Sequence, residues 1–134
     1  MIDTIAVGVD GSPESRRAFE WAAGLAAGLG AGLVLVHAVG LLEHRDDPEH
    51  RIAADRLRHL VAPGLLVEQV VRPGDPVVVL EAVAGERHVD LLVVGARGAG
   101  GPSNALLGST SSQLLRRSTI PVTVVPAAEG PERG

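Results

Sequence analysis

Apolar residues in this chain fall into short continuous runs, separated by segments in which they recur every three or four positions. The first run, Thr4 to Val9, is apolar and β-branched, as a strand buried on both faces requires. It ends at Asp10-Gly11-Ser12-Pro13, where Ser12 suits a helix N-cap and Pro13 the first helical position. The helix predicted from there carries Ala18, Ala22, Leu25 and Leu29 on one stripe, flanked by Trp21 and Ala26, with Phe19 and Trp21 as packing residues. Gly30 and Gly32 stop it. Leu33 to Val39 reads as a second buried strand, and Gly40 to Asp47 is polar and charged. Asp47-Pro48 opens a modest helix through Leu60, with Ile52, Leu57 and Leu60 inward, and Leu65 to Val71 reads as a third strand.

The second half repeats the alternation. Asp75 is placed to cap a helix with Pro76 at its first position, running to about Gly85–His88. Leu91 to Val94 is a fourth, densely apolar strand, followed by a Gly-rich loop from Ala96 to Leu107. A helix is predicted from Gly108-Ser109 to Arg117, whose last two arginines complement its negative end. Ile120 to Val125 is the last strand, and 127–134 reads as a loose tail behind a single domain over 1–126. Strands alternating with helices imply an α/β fold: an open parallel sheet with helices on both faces. Ligands in such sheets bind beyond the carboxyl ends of the strands, where strand order reverses. Here those ends carry Asp10, His37 to Val39, and Gly95.

Composition narrows the chemistry. At 134 residues and 46% hydrophobic content the chain suits one globular core, and with Phe19 and Trp21 its only aromatics, that core is aliphatic. Every strong base is Arg, so mechanisms needing a Lys, the Walker loop and Schiff-base chemistry among them, are excluded. The absence of Cys removes disulfides and thiolate chemistry. A net charge of −4 predicts no broad attraction to nucleic acid or anionic membrane. Met1 to Thr4 has no signal-peptide pattern and no apolar run is long enough to span a bilayer, so a cytoplasmic protein is expected. The five His residues show no recurrent metal-ligand spacing, and His37, which alone falls near the strand ends, is expected to be structural.

The segment that carries chemistry runs from Gly95 to Ser109. Gly95 and Gly98 allow close backbone approach, and consecutive N–H groups in such a turn form an anion-binding concavity. Gly108 and Ser109 are expected to present free N–H donors at the positive end of a helix. A chain of phosphates fits between the two ends; the competing reading is a flexible connection that finishes in an ordinary cap. The dinucleotide fingerprint does not apply, because the first turn reads Asp10-Gly11-Ser12.

Gly95-x2-Gly98-x9-Gly108-Ser109 resembles the ATP-binding pattern of universal stress proteins at every fixed position. Ile5 to Ser12, Val34 to Ala38, Gly74-Asp75-Pro76 and Ile120 to Val125 are similar to other parts of that family. The resemblance implies a five-stranded sheet of order 3-2-1-4-5 (adenine nucleotide alpha hydrolase-like), an ATP ligand and a homodimer, for which the apolar, uncharged edge Ile120 to Val125 supplies a surface. Because the loop offers mainly neutral N–H donors to a strongly anionic ligand, Mg²⁺ is expected with the ATP. It places Asp10 at the adenosine end, the Ala38 backbone at the adenine, and Gly95, Gly98, Gly108, Ser109 and Thr110 along the phosphates, with Arg97 within approach. Gly40 to Pro63 is short for the family, on the adenine side. The function expected is nucleotide-dependent regulation. Slow ATP hydrolysis or self-phosphorylation in the same pocket is the alternative, but no motif sets a general base beside the phosphates. A phosphoryl receiver domain is excluded by the missing Lys.

Overall fold

The computed structural model describes residues 1–39, 55–97 and 107–126. Its strands are β1 (Thr4–Gly8), β2 (Gly32–Val39), β3 (Val67–Pro73), β4 (Leu91–Gly95) and β5 (Val122–Val125), and its helices α1 (Pro13–Leu29), α2 (Pro76–Glu86) and α3 (Ser109–Arg117). All strand pairs are parallel, in the order β3-β2-β1-β4-β5. The order reverses beside β1: the chain leaves it through α1 toward β2 and β3, then crosses through α2 to β4 on its other flank.

Alternation along the strands divides the core into two layers. Ile5, Val7, Leu33, Leu35, Leu91 and Val93 face α1 and, from a helical stretch over 55–58 and the turn after it, Leu57 and Leu60. Ala6, Val34, Val36, Leu92 and Val94 face α2 and α3, where Val77, Leu80, Val83 and Leu114 pack. Helix ends follow local chemistry. Ser12 Oγ accepts the Ser15 N–H at 3.1 Å, and Asp75 Oδ2 accepts those of Val77 (3.1 Å) and Val78 (3.3 Å).

Some sequence expectations shift. The buried stripe of α1 is Ser15, Ala18, Phe19, Ala22 and Ala26, so Leu29, at 45% exposure, and Trp21, at 43%, lie outward. Small alanines let the helix sit close on the sheet, and Phe19 supplies the bulk. β3 starts at Val67 because its register follows β2, Leu33 opposite Val67 through Val39 opposite Pro73; Leu66 before it is 86% exposed. β5 begins at Val122, since Ile120 belongs to a turn in which its N–H donates to Ser118 Oγ and its carbonyl accepts from that hydroxyl. The helix predicted from Asp47 is described only from residue 55, and the 127–134 tail lies outside the described residues.

The edge strand β3 is tied to the end of α2 by two forked ion pairs. Arg87 donates to both oxygens of Glu68 at 2.9 Å, and Arg72 to both oxygens of Glu86, one at 2.6 Å. These hydrogen bonds hold the Glu68 and Glu86 carboxyls below their ordinary range. Asp90 is held down likewise by the backbone N–H groups of Asp3 (2.8 Å) and Thr4 (3.1 Å). Each folded-state pKa lies below its unfolded value, so the stabilisation is complete above the unfolded pKa, roughly 4, and fades as pH falls through the folded one. The urea midpoint should therefore drop below about pH 5, and the E68Q/E86Q double variant should show a shallower acid slope. An unchanged slope in that variant would assign the acid sensitivity elsewhere.

Candidate functional site

At the carboxyl edge of the sheet the pairing of the central strand stops before its neighbours end, which leaves a notch in that edge. β1 pairs with β2 only as far as Gly8 opposite Val36, and with β4 as far as Val7 opposite Val93. Its neighbours continue, β2 to Val39 and β4 to Gly95. The chain leaving β1 turns across this gap through Asp10-Gly11-Ser12 into α1, with Gly11 at φ 83°, a conformation that suits glycine. Polar groups hold the turn rigid. Ser12 N–H donates to Asp10 Oδ1 at 2.9 Å, Asp10 N–H to Ser15 Oγ at 3.2 Å, and Ser15 Oγ to the Ser12 carbonyl at 3.0 Å.

Most of the described residues singled out from the sequence lie at this carboxyl edge. Ala38 lies on the overhang of β2, half-buried and packed toward the α2 face. Gly95 ends β4, and its close approach is to the protein itself: a Cβ there would come within 3.0 Å of the Glu14 carbonyl oxygen in the first turn of α1. Arg97 follows, half-buried; Gly98 lies outside the described residues. Ser109 and Thr110 open α3, with Gly108 as N-cap. The expectation of a free Gly108 N–H is corrected, because that group donates to the Ala96 carbonyl. The first helical bond of α3 runs from Ser112 N–H to Gly108 O, so the N–H groups of Ser109, Thr110 and Ser111 precede the helical ladder.

A sheet's carboxyl edge is ordinarily rich in carbonyl acceptors, which repel anions. Here the exits are covered by donors. His37 Nδ1 donates to Val9 O at 2.9 Å, which gives His37 the structural role expected of it. Arg56 Nη1 donates to Gly11 O at 3.0 Å, and Arg17 Nε to Pro126 O at 3.3 Å. Ala96 O accepts from Ser111 Oγ at 3.0 Å as well as from Gly108 N–H. The carbonyls of Val9, Gly11, Ala96 and Pro126 are thereby satisfied, and guanidinium groups lie over the exits of β1 and β5. Among the described residues no three His, Asp or Glu side chains gather into a metal-binding group.

Sequence reasoning missed Arg17, Arg56 and Ser111 as members of this edge. Arg56 and Arg17 reach partners 45 and 109 positions away, so no local pattern marks them. Ser111 is buried within a Ser/Thr-rich helix start that reads as ordinary capping, and only its position on the inner face of α3 could have separated it from its neighbours.

The model of the universal stress protein family matches residues 1–126. The chain belongs to the universal stress protein family. A universal stress protein of Mycobacterium tuberculosis is 39% identical over 90% of this chain, which spans only 46% of that longer protein. A universal stress protein of Thermus aquaticus is 30% identical, with 93% of this chain and 99% of the relative covered. Among solved structures, a universal stress protein in complex with cAMP is 34% identical, with a TM-score of 0.71 over 95% of this chain and 98% of that one. An Arabidopsis thaliana family member with AMP bound, at 20% identity, shares the fold with a TM-score of 0.63 over 94% of this chain and 92% of that one.

Proposed function

We propose that this chain binds an adenine nucleotide in the notch above β1 and acts in the cytoplasm as a nucleotide-dependent regulatory module of the stress response. The observation that carries the reading is the donor-covered carboxyl edge, with the Arg17 guanidinium and the leading N–H groups of α3, beside the switch in strand order. Such an edge suits an anion at the place where α/β sheets take ligands. The cAMP complex of a relative at 34% identity supports the adenine class. In this reading Asp10 meets the ribose and the Ala38 backbone the adenine. Gly95, Gly98, Gly108, Ser109 and Thr110 line the phosphates, with Arg97 within approach. ATP is the nucleotide proposed, with Mg²⁺ sharing the phosphate charge. Binding, rather than turnover, is its output.

Titration of the purified chain with ATP, AMP, cAMP and inorganic triphosphate tests this. ATP should bind more tightly than triphosphate, and Asp10→Ala should narrow the gap. Equal affinity for the two in the unmutated protein would make this a generic anion site. Phosphate release followed over hours separates binding from slow hydrolysis.

We also propose a homodimer through the Ile120 to Val125 segment. β5 is an edge strand of valines and threonine without charge, and Pro121 and Pro126 limit further pairing to a short ladder. Closed two-fold pairing would satisfy that edge. Light scattering should give twice the chain mass, and Val124→Pro should shift it toward monomer.

A further inference from the structure

Arg56 comes from a part of the chain far from the strand exits, yet it is held in place on its own side. It lies in the helical stretch over 55–58, between β2 and β3 in chain order. The neighbouring Leu57 is buried in the α1-side core together with Leu60, and the Leu57 carbonyl accepts from Gln69 Nε2 of β3 at 3.3 Å. The Arg56 backbone is therefore anchored to the sheet, while its exposed side chain reaches out to donate to Gly11 O at 3.0 Å.

Gly11 is the pivot of the turn that presents Asp10. Its left-handed backbone sits between Asp10 and Ser12, which are themselves joined by the Ser12 N–H to Asp10 Oδ1 bond. The internal bonds of the turn tie it to the start of α1, and the bond to Gly11 O ties it to the β2–β3 side of the molecule. The Gly11–Ser12 peptide bears directly on where the Asp10 carboxylate points, because its carbonyl accepts from Arg56 and its N–H donates to Asp10 Oδ1.

We propose that Arg56 is a positioning residue for the nucleotide site, acting through the Gly11 carbonyl to hold Asp10 in the orientation that meets the ribose. The inference rests on the adenine-nucleotide reading above. It predicts a coupling: Arg56 matters to the ligand only while Asp10 is present, and it serves a neutral nucleoside as well as a charged nucleotide.

The test is a double-mutant cycle, with AMP and adenosine as probes in calorimetric titration of the intact chain. Arg56→Ala should weaken both ligands by a similar factor, about five-fold for one charge-assisted hydrogen bond at an exposed site. In an Asp10→Ala background the same substitution should cost nothing further. Arg56→Lys, which keeps a donor but not the fork, should recover part of the loss. Additive losses in the cycle, or a loss confined to AMP, would overturn the positioning role, the latter by making Arg56 a direct reader of phosphate charge. Unchanged affinity in Arg56→Ala would overturn it too. Failure of the unmutated chain to bind either ligand would instead remove the nucleotide reading, and this inference with it.

Discussion

Replacing Gly95 with alanine is expected to destabilise the ligand-free chain. A Cβ at this position would lie 3.0 Å from the Glu14 carbonyl oxygen, 3.1 Å from its carbon and 3.2 Å from the Glu14 Cβ. Those are backbone and near-backbone atoms of the first turn of α1, which is fixed by the Ser12 cap and by the packing of Ala18 and Phe19. No flexible side chain is available to yield, so β4 and α1 must separate. Overpacking of this kind costs about 1–3 kcal/mol, which for a domain of this size lowers the melting temperature by roughly 4 °C per kcal/mol. Valine should cost more. The same separation would move the Asp10-Gly11-Ser12 turn away from the end of β4 and widen the notch. Thermal melts without nucleotide decide the point. An alanine variant that melts with the unmutated protein but has lost nucleotide binding would mean that Gly95 is kept small for a ligand and not for Glu14.

Gly95 illustrates which features were open to sequence reading. A glycine in a spaced motif announces that something approaches closely; it does not say what, and Glu14 is 81 positions away. Features that depend on neighbours in the chain were legible. Asp75 and Pro76 start α2 as expected, and α3 runs from Ser109 to Arg117 as its cap and terminal arginines suggest. The strand order followed from the family resemblance, and the buried strands from their continuous apolar runs. Where several settings satisfied the local pattern, long-range packing chose among them. The stripe expected on α1 ran through Leu25 and Leu29, but Ala18, Ala22, Ala23, Ala26 and Ala27 mark no single face, and the sheet selected the one with Phe19. The apolar run placed the start of β3 at Leu65, and pairing with β2 sets it at Val67. The donors over the strand exits come from Arg17, His37, Arg56 and Ser111, and each of those contacts exists only after the chain has folded.

Leu114→Ala is expected to have the largest effect of any single substitution considered for α3. The helix is nine residues long, and its buried residues are Ser111 and Leu114. Leu114 is fully buried against the α2-side core, in the cluster that contains Val77, Leu80, Val83, Leu92 and Val94. Ser111 contributes two hydrogen bonds, to Ala96 O at 3.0 Å and Gly108 O at 3.1 Å, but little apolar area. A helix this short has little stability of its own and depends on tertiary packing. Removing the leucine side chain takes away most of that anchoring and leaves a cavity, at a cost of about 3 kcal/mol. Because α3 begins with the N–H groups that the proposed site assigns to the ligand, the loss should also reach binding: amide exchange over 109–117 should quicken, and nucleotide affinity should fall. Leu114→Met, which nearly conserves volume, should stay within about 1.5 kcal/mol of the unmutated protein and keep its affinity. If Leu114→Ala melts within a degree or two of the unmutated chain, α3 must be held by contacts other than this leucine, and the attachment of the donor-bearing helix end to the α2-side core would have to be given up.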